Sequence, residues 1–418
     1  MLESIPLFLN KKELFLTLLL FFILFLISLG YEYHNYKKIV SKPLHVSNFT
    51  KVLNHYEKSS KNGRKYDVFK LKSAEGYSFY TVSWKKRDIK TGDILKVGFN
   101  TEKLTFIDYL KGFFAPSLFI KKLKSNEQSL LEKVREYIVK QHNSKITKEV
   151  FSALFLATPI SKETREKIQK LGISHLIAIS GFHLGFLGAV LFFVLKIPYT
   201  ILQERFFPYR NRKFDVTLVV FLILFLYMYM LDFTPSLLRS FVMGVFGFYL
   251  YDRNIKILSF ENLLISALFI VALFPKLIFS ISFWFSLSGV FYIFLFLHHF
   301  SKLNKVLLFV LLNFWVYVTM LPVVHYIFPS FTILQFISPV LSMLFLVFYP
   351  LSLILHIFGL GYFLDFPIEW LLNLNAKSYQ ITTPTWYLVC YVVLSLASIR
   401  SKNLAFFVFI SAIGVLFI

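Results

Sequence analysis

The chain has 418 residues, 56% of them hydrophobic and 19% aromatic, with a mean hydropathy of +0.63. That composition excludes an ordinary soluble globular protein and indicates a polytopic α-helical membrane protein. Lys and Arg number 45 against 23 Asp and Glu, and the net charge of +22 suits the positive-inside bias of short loops, a surface for a polyanion, or both.

The first predicted element is an apolar run from Leu14 to Leu29, preceded by Lys11 and Lys12. No small-x-small cleavage pattern follows it, so residues 1–30 read as a retained N-terminal transmembrane anchor. Residues 31–126 are polar, with 20 Lys/Arg against 8 Asp/Glu. DVFKLKS (67–73) and YSFYTVSW (77–84) flank the turn AEG, and TGDILKVGFN (91–100) alternates polar and apolar residues. Short strands at this spacing predict a small inserted β-barrel of OB type over 31–110. In it Trp84 stands beside Lys85, Lys86, Arg87 and Lys90. This arrangement suits a stacking ring flanked by phosphate contacts; a solvated loop has the same composition.

Residues 111–170 predict amphipathic or interfacial helices. LLEKVREYIVKQH (130–142) repeats its apolar residues at helical spacing, which fits a membrane surface or an ordinary soluble helix. From 171 to 418 the chain is almost continuously apolar. Spans are predicted near 173–196, 216–232, 235–251, 258–274, 277–299, 305–328, 331–358, 379–398 and 403–418, roughly ten with the anchor. Basic residues cluster at Lys196–Lys213, at Arg253 and Lys256, and at Lys302 and Lys305, with two spans between successive clusters. The positive-inside rule makes that side cytoplasmic and leaves 31–126 extracytoplasmic. The single cysteine, Cys390, excludes an internal disulfide or a Cys-based metal site.

Polar groups inside apolar segments are costly and mark function or tight packing. Three clusters carry them. HLIAISGFHLGF (175–186) holds His175, Ser180, Gly181 and His183, with Ser180 and His183 on one predicted helical face. LDFTPSLLRS (231–240) holds Asp232, Pro235, Ser236 and Arg239; Pro235 predicts a helix start with Thr234 as N-cap, and Arg239 either pairs with Asp232 or meets an anion. SISFWFSLSGVF (280–291) holds Ser286 among other serines that serve helix packing or a wet surface. Ser180 and His183 could also act as nucleophile and base with Asp232 as orienting acid, although no G-x-S-x-G elbow precedes them. No P-loop and no H-E-x-x-H pattern occurs, so neither nucleotide hydrolysis nor a metal site is expected.

KLGISHLIAISGFHLG (170–185) resembles the signature of the ComEC competence family, inner-membrane channels of natural transformation. Gly172, His175, Ala178, Ser180, Gly181 and His183 match it, with Phe182 in place of the usual leucine. Pro235, Ser236 and Arg239 match a second family motif, Pro-Ser-x-x-Arg, and Phe283–Ser286 a looser third, with Trp284 where glutamine is common. The resemblance implies a channel passing single-stranded DNA into the cytoplasm, without cofactor or catalytic residues of its own. It also implies a short form lacking the metallo-β-lactamase-like domain of many members, a periplasmic DNA receptor, and cytosolic DNA-handling partners. The alternatives from the residues themselves are an intramembrane hydrolase using Ser180 and His183 and a transporter of a small anionic solute.

Overall fold

The computed structural model of the protein describes residues 10–60, 64–84, 88–124, 130–231, 233–253, 255 and 259–417. It divides into two compact units. The first runs from helix α1 (Lys11–Val40) to Tyr137 and takes in Leu268–Ser280; the second holds Ile138–Ala267 and Ile281–Ile418.

α1 begins at Asn10, whose side chain accepts the Glu13 N–H at 2.9 Å. The helix does not stop at the expected boundary of residue 30. It continues through Gly30 because Tyr33, Tyr36 and Ile39, one turn apart, have an apolar core to pack on: Ile39 is fully buried, and Tyr33 meets Phe106 edge-on at 5.3 Å. That core belongs to a sheet of β1 (Leu44–Ser59), β2 (Lys65–Ser73), β3 (Ser78–Ser83) and β4 (Ile94–Asn100), followed by α2 (Phe106–Lys111), β5 (Phe113–Phe114) and β6 (Ser117–Lys124). The strand order is β5-β3-β2-β1-β4-β6. Every pairing is antiparallel except β3 with β5, so the sheet is mixed. Alternation puts Phe69, Leu71, Phe79, Leu95, Val97 and Phe99 on the inner face.

The sheet bends far enough for Ser117, at the start of edge strand β6, to donate to the Val82 carbonyl of β3 at 3.0 Å. No ladder joins β5 to β6, and the expected barrel is not closed. β5 and β6 also occupy part of the 111–170 stretch expected to be helical; SLFIKKLK pairs with β4 and extends the sheet past residue 110, with Ile120 buried in its core.

The second unit is mostly helical. α3 (Leu130–Lys140), whose residues through Tyr137 belong to the first unit, leads into α4 (Lys145–Leu156), α5 (Lys162–Lys170), α6 (Ser174–Ile177), α7 (Gly181–Phe206), α8 (Arg212–Met230) and α9 (Pro235–Asp252). α10 (Phe260–Leu273), α11 (Ile281–Phe300), α12 (Lys305–Ile327), α13 (Ser338–Ile357), α14 (Asp365–Leu372), α15 (Thr385–Ala397) and α16 (Lys402–Gly414) complete the helices, and β7 (Ser330–Thr332) pairs with β8 (Ser378–Gln380). Among the described residues, six helical stretches are long and apolar enough to cross a membrane: α1, Ser174–Phe206, α8, α11, α12 and Ile333–Ile357. The roughly ten spans expected are therefore not all met. α10, of 14 residues, rises about 21 Å against a hydrocarbon core of ~30 Å, and α15 and α16 are also short.

In the first unit a polar joint holds α1, α2, the β2–β3 turn and the Leu268–Ser280 segment. Lys276 Nζ lies 2.8 Å from Glu32 Oε2, donates to the Gly76 carbonyl at 3.0 Å, and sits 4.7 Å from the Tyr109 ring centre. The Tyr109 hydroxyl donates to the same Glu32 oxygen at 2.8 Å. Burial, and then the Glu32 carboxylate, push the Tyr109 phenol above its ordinary value, so it stays a donor. Removing one charge strands the other. Lys276→Met is expected to lower stability in detergent by about 2 kcal/mol, less than the roughly 3–5 of a fully buried pair because both groups keep some exposure. Adding Glu32→Gln is expected to restore most of that loss, read by thermal unfolding of the single and double variants.

Candidate functional site

The stretch 175–186 does not form one continuous helix. Ala178 (ψ 124°) and Ser180 (ψ 179°) are extended, so α6 stops at Ile177 and α7 starts afresh at Gly181. Upstream, Gly172 has φ +69°, a left-handed conformation that L side chains resist. Its carbonyl accepts from Ser338 Oγ and from His175 Nδ1, both at 3.1 Å. The His175 proton is thereby placed on Nδ1, and Nε2 faces Ser342 Oγ at 3.1 Å. Both serines lie on α13, so the turn before the motif is held to that helix.

Ser180 and His183 do meet, but not by sharing a helical face. Ser180 is the N-cap of α7 and His183 the third residue inside it. His183 Nδ1 accepts the Ser180 backbone N–H at 3.0 Å and lies 2.9 Å from Ser180 Oγ. The imidazole thus takes the place that Glu or Gln holds in a capping box. With Nδ1 accepting, a neutral ring carries its proton on Nε2. That buried atom has no hydrogen-bond partner among the described residues; the ring stands edge-on to Tyr349 at 4.5 Å and to Phe345 at 5.4 Å, again on α13. An N–H facing an aromatic ring is a weak substitute for a hydrogen bond. With Nδ1 as the nitrogen facing the hydroxyl, the reverse of the usual triad, a hydrolytic pair would need Nδ1 free to take the hydroxyl proton and Nε2–H held by an acid.

The second cluster packs against the first. Pro235 is the first residue of α9, as expected, and Thr234 is the N-cap position, without a side-chain cap hydrogen bond. A methyl placed on Gly181 would come within 3.1 Å of Ser240 Oγ, so glycine permits the close approach of α7 to α9. Ser240 Oγ itself donates to the Ser236 carbonyl at 2.8 Å. Arg239 is 5% exposed, and its Nη1 donates to the Ser282 carbonyl of α11 at 3.2 Å. Among the described residues it has no ion pair and no other hydrogen bond. Asp232, the expected alternative partner, lies outside the described residues. Ser286, four residues beyond Ser282 on the same helix, is half-buried. The three clusters are thus linked from α7 through α9 to α11, with α13 behind the first.

The predicted basic cluster of the first unit is only partly described: Lys85, Lys86 and Arg87 lie outside the described residues. Lys90 is exposed in a turn, where its N–H donates to Asp93 at 2.8 Å. Trp84 is 61% exposed and its ring meets Tyr66 at 4.9 Å. Sequence reading missed its neighbours. The register sets Lys58 opposite Tyr66, Tyr56 opposite Val68, Lys70 opposite Tyr80, and Tyr80 opposite Phe114. These positions share the outer face of the sheet, and all of them but Lys70 line an open groove of about 460 Å³. Lys58 and Lys70 sit 5.7 and 5.6 Å from the Tyr56 and Tyr80 ring centres. The signal was present as alternation: Tyr66, Val68 and Lys70 on one strand, Tyr80, Val82 and Trp84 on the next.

The cap geometry predicts that Ser180→Ala destabilises the start of α7 by about 1 kcal/mol, whereas Ser180→Asp retains most of the stability; thermal unfolding of the two variants in detergent separates them. Gly172, His175, Ser180, Gly181, His183, Pro235, Ser236, Arg239 and Ser286 all fall within residues 157–418, which match a family model described as competence protein. No curated protein and no solved structure matches the chain. The motif turn, the buried arginine and the apolar helices that carry them belong to the matched region, and the chain is a member of the competence protein family.

Proposed function

We propose that this protein passes a single strand of DNA across the bacterial inner membrane during natural transformation, as a channel without nuclease or ATPase chemistry of its own. The observation that carries the reading is Arg239. A guanidinium offers five N–H donors. Among the described residues, which do not include Asp232, it is buried where the motif helices meet, with one backbone carbonyl as acceptor. Ionisable groups in such an apolar setting commonly mark the path of an ion or a charged substrate. A phosphate passing through needs such a contact, weak enough to release, amid small and hydroxyl-bearing residues such as Ser180, Ser236 and Ser286.

The sheet unit supports the same substrate. An open face of tyrosines, Trp84 and Phe114 interleaved with lysines offers stacking surfaces for bases and cations for the phosphate backbone. A small anionic solute uses only the second. In this reading the unit is extracytoplasmic and captures the strand. A periplasmic receptor delivers it, and cytosolic DNA-handling proteins receive it.

Arg239→Gln is expected to lower transformation frequency at least about tenfold, the equivalent of one charge-assisted hydrogen bond, with membrane levels unchanged by immunoblot. Wild-type transformation by that variant removes the role. For capture, the full chain in detergent is titrated with fluorescent oligothymidylate. Tyr56→Ala combined with Trp84→Ala is expected to weaken binding about tenfold with the salt slope unchanged, because stacking carries no counterions. Lys58→Ala combined with Lys70→Ala is expected to flatten that slope.

A further inference from the structure

A second polar cluster lies in the helical unit, away from the motif. His142, in the turn between α3 and α4, has a fully enclosed side chain. Its Nδ1 is 2.6 Å from Asp365 Oδ1, and its Nε2 is 2.9 Å from His356 Nε2. His356 Nδ1 is 2.6 Å from the Ser352 carbonyl, and Asp365 Oδ2 accepts the Asn143 N–H at 3.0 Å.

Counting donors fixes how many protons this chain holds. A carbonyl oxygen only accepts, so His356 Nδ1 carries a hydrogen. The short contact between the two Nε2 atoms needs one hydrogen, and so does the contact between Asp365 and His142. That makes three. A carboxylate and two neutral imidazoles supply two. The same count results whether the additional proton is assigned to His142, His356 or Asp365. Without it, two lone pairs would face each other at 2.9 Å and a carboxylate charge would stand unbalanced in a largely buried place.

We infer that His142, His356 and Asp365 form a one-proton binding site that ties the α3–α4 turn to the end of α13 and the start of α14. Its walls are closed. Phe151 stacks on His142 at 4.5 Å and 4°, Phe155 meets His356 edge-on at 4.9 Å, and a methyl on Gly361 would stand 2.9 Å from His356 Nε2. The charged groups acting on His142 are Asp365 of α14 and Lys148 of α4; the turn after α3 contributes the neutral Gln141, which donates to the His356 carbonyl at 3.1 Å. Burial lowers the His142 proton affinity below the ordinary histidine value, against the pull of Asp365. The proton is thus exchangeable, released at lower pH than from an exposed histidine. Loss of it removes the Nε2–Nε2 bond. α13 carries this site at one end, and Ser338, Ser342 and Tyr349, which hold the motif turn and His183, along its length. Protonation here therefore acts on the seat of the helix that backs the motif.

The test is independent of DNA uptake. Full-length, chelator-treated protein labelled with 15N-histidine is examined by NMR between about pH 5 and 8, the window in which imidazoles titrate. A coupling through the hydrogen bond between two imidazole nitrogens is expected at the acid end and is expected to vanish as pH rises. His356→Asn, or His142→Asn if the first does not fold, assigns the pair by abolishing the coupling. Absence of the coupling in the wild-type protein at every pH, or a coupling that does not change across the window, overturns the inference.

Discussion

A membrane-crossing chain must satisfy its own backbone polar groups, and the interruption between α6 and α7 is where this protein strains against that requirement. The non-helical residues 178–180, with Ala178 and Ser180 extended, interrupt the intrahelical bonding of N–H groups at the head of an apolar helix. The motif residues answer this demand. His183 takes the Ser180 N–H, the Gly172 carbonyl takes Ser338 and His175, and the Gly181 position clears space for Ser240. Histidine, serine and glycine in an apolar run are thus explained first as the means of breaking a helix without orphaning its backbone. Any contact with a substrate uses groups already held in place for that purpose.

The two units treat buried positive charge in opposite ways. Lys276 is fully compensated by a carboxylate, a carbonyl and an aromatic face, and joins four segments of chain. Arg239 is more deeply buried and, among the described residues, receives one carbonyl. The first arrangement stabilises a fold; the second, within the described residues, leaves guanidinium donors to spare.

Local features were legible in the sequence. Pro235 at the first position of a helix, the strands of 67–73 and 78–83, and the motif with its Ser–His contact follow from residue types at short spacing. What needed long-range packing was not legible. α1 runs past Gly30 because the sheet core receives Tyr36 and Ile39, which no local pattern announces. The barrel does not close because its last strand ends at an edge. Hydropathy alone counted α9, α10, α15 and α16 as spans, although none of them meets the length and apolarity of the six long stretches. The cluster of His142, His356 and Asp365 escaped entirely: His142 is more than 200 residues from each partner, and each alone reads as an ordinary polar residue at a helix end.

The length of α7 has a further consequence. Its 26 residues rise about 39 Å, more than the ~30 Å hydrocarbon thickness of a bilayer. A helix of that length laid across the membrane cannot keep both ends in lipid. Gln203, Glu204 and Arg205 are the polar residues near its far end, and about 30 Å of rise separates Gln203 from His183. The motif turn and that polar end are thus about one hydrocarbon thickness apart, with the wholly apolar run from Val190 to Val194 midway between them.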